Sequence, residues 1–174
     1  MKYTQFNNTF AQVGAIGETE DIKEHCKSIV RSYGAQRKIQ QPLIKWGIYK
    51  GCRRLKQDME ELHAIEIEHD GGLMHIYAAA ELLDKEGYPF VGYETWSCTD
   101  KEPRWRFVLP LEKPLVFSEL GGIEPVTAAH REFVNRLARV VGDGILSKES
   151  WYLGQCWYMG HQLGGRDPLM VSNL

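Results

Sequence analysis

The stretch HAIEIEHDGG, residues 63–72, alternates apolar and charged side chains and then ends in two glycines. On an extended chain Ile65 and Ile67 fall on one side, and Ala64, Glu66 and Glu68 on the other, which is the two-residue period of a β-strand. Leu62 to His69 is therefore read as a strand, with Gly71 and Gly72 ending it. Glu66, Glu68 and Asp70 occupy every second position, and like charges spaced by ~7 Å repel unless water, cations or bases intervene. The spacing alone leaves two readings open. One is the wet side of an edge strand, and the other is a site for a hard divalent cation, which prefers oxygen ligands.

Outward from this strand, LMHIYAAAELLDKEG (73–87) reads as an Ala-rich helix with Gly87 at its C-terminus, and YPFVGYETW (88–96) as a second strand. Residues 62–96 thus form a strand–helix–strand unit whose strands are expected to be parallel without having to be neighbours. RWRFVLPL (104–111) alternates again, with Trp105, Phe107 and Leu109 on one face and Arg104, Arg106 and Val108 on the other. Upstream, TEDIKEHCKSIVRSYG (19–34) predicts a helix with Thr19 as N-cap, Ile22, Cys26, Ile29 and Val30 as its apolar side, and Gly34 as its stop. PLIKWGIY (42–49) is strand-like, and CRRLKQDMEEL (52–62) is a charged connection with room for a turn of helix. Downstream, SELGGIEPV (118–126) reads as a loop and PVTAAHREFVNRLARVVG (125–142) as an amphipathic helix with Val126, Ala129, Phe133, Leu137 and Val140 along one stripe. GILSKES (144–150), an aromatic strand WYLGQCWYMG (151–160) and a Gly/Pro-containing tail complete the chain. The pattern implies an α+β or α/β domain with a central sheet and flanking helices.

At 174 residues the chain has the length of one domain, and 43% apolar with 25% charged residues is a composition that folds. A formal net charge of −2 argues against indiscriminate binding to phosphate backbones, so any nucleic-acid role must come from a local site. Cys26, Cys52, Cys98 and Cys156 form no CxxC pair and are read as reduced thiols of a cytoplasmic protein. No apolar run approaches the ~20 residues of a membrane span, and MKYTQFNNTF lacks the apolar core of a signal peptide.

Several constellations remain. Arg104 and Arg106 share a face and suit an oxyanion, because a planar guanidinium binds one bidentately; a solvated face is the plainer reading. Glu149 is a further acid from a distant part of the chain. Trp151, Tyr152, Trp157 and Tyr158 are either core or a platform on which bases stack. Histidines 25, 69, 75, 130 and 161 show no HExxH-like ligand spacing, and no P-loop, GxGxxG or GxSxG motif is present.

The order of these pieces is more specific than any one of them. An acidic strand ending in glycines, a helix, a strand ending in ETWSCTD, then PRWRFVLPLEKPL, a helix and ILSKESWYLGQCWYMG resembles the catalytic domain of archaeo-eukaryotic-type primases. It is most similar to the primase-polymerase (PrimPol-like) domains of phage, plasmid and prophage replication proteins, over residues 43 to 160. The resemblance implies an RRM-like palm with an N-terminal extension (1–42), a core (43–160) and a tail (161–174), in a single domain with a mixed or antiparallel sheet. It places the family's paired acids on Glu68 and Asp70, or on Glu66 and Glu68 if the hydrophobic spacing rules, and its last acid on Glu149. These four residues are the implied ligands of two Mg²⁺ or Mn²⁺ ions. Arg104 and Arg106 are the implied contacts to nucleotide phosphates. The family's Ser-x-His motif falls on TWSCTD, so Ser97 and Cys98 would line the nucleotide pocket in place of that histidine. The implied partners are a DNA template and nucleoside triphosphates, with a helicase or another replication or host protein as a further partner. The competing reading is a palm without catalysis, kept as a nucleic-acid- or protein-binding module such as a mobile-element inhibitor of host defence.

Overall fold

The strand that carries the acids is central, not an edge. In a computed structural model that describes residues 1–32, 38–159 and 169–174, it runs over Met59–His69 (β5), three residues longer at its start than the alternation suggested. Its neighbours are Gly47–Tyr49 (β4) and Trp105–Val116 (β7). On the far side of β7 lie Val91–Glu94 (β6) and Met170–Ser172 (β9), giving an antiparallel sheet in the order β4-β5-β7-β6-β9. β5 and β6 both run antiparallel to β7, so they are parallel to each other with β7 between them. Joined by the helix Ile76–Lys85 (α2), they make the split β-α-β unit of which the sequence showed the two outer strands and the helix.

The alternation of β5 sorts its two faces. Ile65 and Ile67, with Phe107 and Leu109 of β7, bury against α2 and the long helix Ile123–Val141 (α3), contributing to the larger core. α3 turns a different stripe inward from the one its periodicity suggested. Val126, His130, Val134, Leu137 and Val141 are buried, whereas Ala129 is exposed and Phe133 and Val140 are half-buried. Its first turn also takes in Ile123 and Glu124, which read as loop.

On the opposite face, Ala64, Val91, Tyr93 and Val108 meet Ile22, Cys26 and Val30 of the first helix, Ile22–Ser32 (α1), together with Ile44 and Trp46. Asp21, not Thr19, caps α1: its Oδ1 accepts the Glu24 N–H at 2.9 Å, while the Thr19 hydroxyl braces Asp21 from the preceding turn. The proposed stop at Gly34 and the side chain of Ile29 lie outside the described residues.

PLIKWGIY does not form one strand. Leu43–Lys45 (β3) pairs in a second antiparallel sheet with Lys2–Phe6 (β1), and β4 joins the main sheet, so the chain crosses between sheets at Trp46. The second sheet has the order β2-β1-β3-β8, where β2 is Ala15–Glu18 and β8 is Trp157–Tyr158. The connection over 50–58 contains short 3-10 turns at 50–52 and 56–58. Only two residues of the aromatic stretch form a strand among those described, because Lys148–Trp151 is a 3-10 turn and Leu153 and Gly154 lie in the turn that follows. β9, in the segment read as a tail, is a strand of the main sheet.

Candidate functional site

Register builds the site. Glu68 on β5 lies opposite Arg106 on β7, and Arg106 lies opposite Tyr93 on β6, so three strands point one acid, one guanidinium and one phenol to the same face. Arg106 Nη2 donates to Glu68 Oε1 at 2.5 Å, and Nη1 donates to the Tyr158 carbonyl at 3.0 Å and to Tyr93 Oη at 3.3 Å. The Trp157 ring covers the guanidinium, with 4.5 Å from Arg106 Cζ to the ring centroid. Arg106 is buried, which works against its charge, yet Tyr93 and Glu68 outweigh burial and hold its pKa above the ordinary value. Its Nε has no partner among the described residues.

Glu149 reaches the same place from far along the chain. The turn that bears it is tied to the backbone of Glu68: Ser147 N–H donates to the Glu68 carbonyl at 2.8 Å, and Ser150 Oγ accepts the Glu68 N–H at 3.0 Å and donates to the same carbonyl at 3.4 Å. Asp70, just beyond β5, is half exposed and pairs with Arg104 at 2.7 Å. Gly72 follows with φ +69°, a conformation that suits glycine and turns the chain away from the strand end. His69, between the two acids, faces the opposite side and is fully buried. Its Nδ1–H donates to the Ile145 carbonyl at 2.6 Å, and its Nε2 accepts the Leu73 and Met74 N–H groups at 2.9 and 3.2 Å. The imidazole clamps the strand end to the turn before Glu149 and takes no part in the open face.

Glu68, Asp70, Glu149 and Arg106 all line one cavity of about 250 Å³, with Lys38, Thr95, Trp96 and residues 155–158 as its other walls. Glu66, the alternate acid, does not reach it. Its carboxylate is sealed between the sheets against Lys45 Nζ at 2.6 Å, with both side chains almost fully buried. Burial pushes the Glu66 carboxyl up from its usual range against the opposing pull of Lys45 and Arg106. The Trp157 indole N–H is close enough to act on that carboxylate but lies outside hydrogen-bond geometry. Ser97 and Cys98 sit in the turn beside the cavity rather than in its lining. Cys98 Sγ donates to Glu94 Oε1 at 3.3 Å and accepts the Arg104 N–H at 3.4 Å, while Thr95 and Trp96, earlier in the same turn, face inward. His161 lies outside the described residues.

Sequence reasoning missed Lys38, Thr95, Lys45 and the serines of SKES. Ser150 carried a signal, since a small hydroxyl beside an acid can bond the backbone of a neighbouring element. The Lys45–Glu66 pair carried none, because 21 residues separate its members.

The donor set determines what the cavity could hold. The carboxylate oxygens of Glu68, Asp70 and Glu149 suit a hard cation, and the Glu149 carboxylate has no ion pair or hydrogen bond among the described residues. Glu68 and Asp70 each turn an oxygen to an arginine, and among the described residues no three His, Cys, Asp or Glu side chains gather closely enough to hold a metal ion. Glu68, Asp70 and Glu149 are the residues of this cavity that could hold a cation.

Comparison with protein-family models and with curated proteins gives no match. Among solved structures, the AEP domain of the cyanophage S-2L primase-polymerase (PrimPol) superposes with a TM-score of 0.52 at 13% sequence identity, covering 99% of this chain and 80% of that one. The likeness is one of fold. It extends past residues 43–160 to nearly the whole chain, including the strands and helix of the first 42 residues. Among the described residues, no helix is long and apolar enough to cross a membrane.

Proposed function

We propose that this chain is a primase-polymerase-like domain that transfers a nucleotide to a 3′-hydroxyl on a DNA template with Mg²⁺ or Mn²⁺. The observation that carries the reading is the convergence of Glu68, Asp70, Glu149 and Arg106 on one cavity, in a fold shared with a phage PrimPol domain. At about 250 Å³ the cavity falls just below the range of roughly 300–1,000 Å³ of pockets that enclose whole small molecules. Its size suits the phosphates of a nucleotide, with sugar and base outside. Arg106 and Lys38 supply positive charge to phosphate oxygens, and Thr95 adds a hydroxyl. Divalent ions on the carboxylates would activate the attacking hydroxyl and neutralise the pyrophosphate that leaves. The test is extension of a primed or unprimed single-stranded template with dNTPs or NTPs and Mn²⁺. Product from the wild type and none from Glu68→Ala/Asp70→Ala supports the reading. Absence of product, together with unchanged nucleotide binding in that variant, rejects it.

A second reading rests on a specific observation: two of the three acids are already neutralised by Arg106 and Arg104. In it the domain binds nucleic acid or a protein without chemistry. Calorimetry that detects no divalent metal, with a stable partner recovered by the full chain, supports this alternative.

A further inference from the structure

The second sheet ends in an open edge. β2 is its outermost strand, paired with β1 in continuous register on one side and, among the described residues, with no strand on the other. Edge strands are ordinarily blunted by lysine, proline or a bulge, and Ala15–Glu18 has none of these. Ile16 is 53% exposed, and Val13, just before the strand, 61%. The hydrogen bonds at the two ends of β2 show which groups this edge offers. Thr19 N–H donates to the Met1 carbonyl at 2.8 Å, toward β1, whereas Gly14 N–H donates to the Cys52 carbonyl at 2.9 Å, away from it. Backbone groups alternate along a strand, so Ala15 and Gly17 face β1, and Ile16 and Glu18 turn their N–H and C=O outward. Neither residue has a backbone partner on that side among the described residues. Beyond Gly14 the edge is closed by residues 52–54, because Arg54 N–H also donates to the Gln12 carbonyl at 2.9 Å.

We propose that this edge is taken by β2 of a second copy of the chain, paired antiparallel about a two-fold axis at Gly17. In that register Ile16 of each copy exchanges both backbone bonds with Glu18 of the other, which satisfies every open group on both edges. The axis falls on a non-hydrogen-bonded pair, where the two Cα atoms come within about 4.5 Å. Gly17 stands there, and the Tyr3 ring lies across it where a Cβ would be, so two aromatic rings meet at the axis. Charge selects the same partner. Glu18 and Glu20 are exposed and make no ion pair among the described residues; at the opposite end of the edge, residues 50–54 bring the exposed Lys50 and Arg53. Antiparallel copies set each acidic end against the other's basic end, whereas parallel copies would set acid against acid. β8, whose Tyr158 lines the acid cavity, is at the other end of this sheet, so the pairing stands apart from the proposed nucleotidyl transfer.

Sedimentation velocity of the full chain from about 1 µM to about 1 mM, with amide exchange followed at Ile16 and Glu18, tests the pairing. A monomer–dimer equilibrium is expected, in which those two amides slow as the dimer fills. Ile16→Pro removes an outward N–H while sparing the bonds to β1, and is expected to weaken the dimer about thirtyfold, for two lost backbone hydrogen bonds. Leu73→Lys, at an apolar side chain 74% exposed outside this sheet, is expected to leave the dimer within about twofold. Glu18→Lys/Glu20→Lys and Lys50→Glu/Arg53→Glu are each expected to be monomeric alone and to form a heterodimer when mixed. A chain that stays monomeric throughout would overturn the proposal and leave the edge to another protein's strand. So would a dimer whose Ile16 and Glu18 amides exchange as in the monomer, or charge variants that fail to associate when mixed.

Discussion

Glu66 and Glu68 stand two residues apart on one face of one strand, and each pairs with a single cation, yet they occupy different worlds. Glu66 and Lys45 are sealed between two sheets, with side-chain exposures of 1% and 2%. Glu68 keeps 15% of its side chain in the acid cavity, and its partner Arg106 is itself held by a ring and a carbonyl. A sealed pair cannot exchange partners with solvent or ligand without stranding a charge, whereas the open pair can. Position along the strand, rather than residue type, therefore separates a sealed carboxylate from one that faces the cavity.

The largest expected effect comes from breaking the sealed pair on one side. Lys45→Met leaves the Glu66 carboxylate buried and uncompensated, and denaturant unfolding should show a loss of about 3–5 kcal/mol. Replacing both members, as Lys45→Met/Glu66→Leu, should recover most of it; equal losses in the single and double variants would show that packing and not charge holds the two sheets together. The open pair should behave in the opposite sense. Glu68→Gln frees Arg106 for an anion, and binding of inorganic triphosphate in chelator should tighten about tenfold. Unchanged or weaker binding would mean that Arg106 is not a phosphate donor.

Acid titration extends the comparison to α3. Burial, aided by the charges of Lys45 and Arg131, lowers the His130 pKa to about 3. Between that value and the ordinary 6.5, the unfolded chain binds a proton that the folded chain refuses, so stability falls as pH drops through this window. The contribution is at most about 1.4 kcal/mol per pH unit. His130→Gln should flatten this limb, and Lys45→Met should make it shallower. The smallest effect is expected at Glu149, whose carboxylate has no ion pair or hydrogen bond among the described residues. Glu149→Gln should leave stability within about 0.5 kcal/mol, while Mn²⁺ binding measured by calorimetry falls.

What could be read from sequence was what repeats locally. The alternation at 63–69 and 104–109 placed Ile67 and Phe107 on one face and Glu68 and Arg106 on the other, and the structure keeps that division. Amphipathic patterns located α1 and α3 and an Ala-rich run located α2, although in α3 the inward stripe holds His130 where Ala129 was expected, because tertiary burial selected a neighbouring side. The pairing of Lys45 with Glu66, the crossing at Trp46 and the entry of β9 into the main sheet depend on contacts between distant segments, which no local period records. The same limit explains why three acids looked alike in sequence and proved different in surroundings.

The crossing at Trp46 makes one residue the phase-setter of the molecule. Lys45 is registered against Thr4 in one sheet and Gly47 against Leu62 in the other, with a single residue to absorb any slippage. Gly47 also has no slack, since a Cβ there would stand 2.6 Å from the Glu61 carbonyl oxygen. Inserting or deleting one residue at this point would invert every side chain on one strand relative to the other, turning Lys45 away from Glu66. The chain therefore has a reading frame in space as well as in its gene.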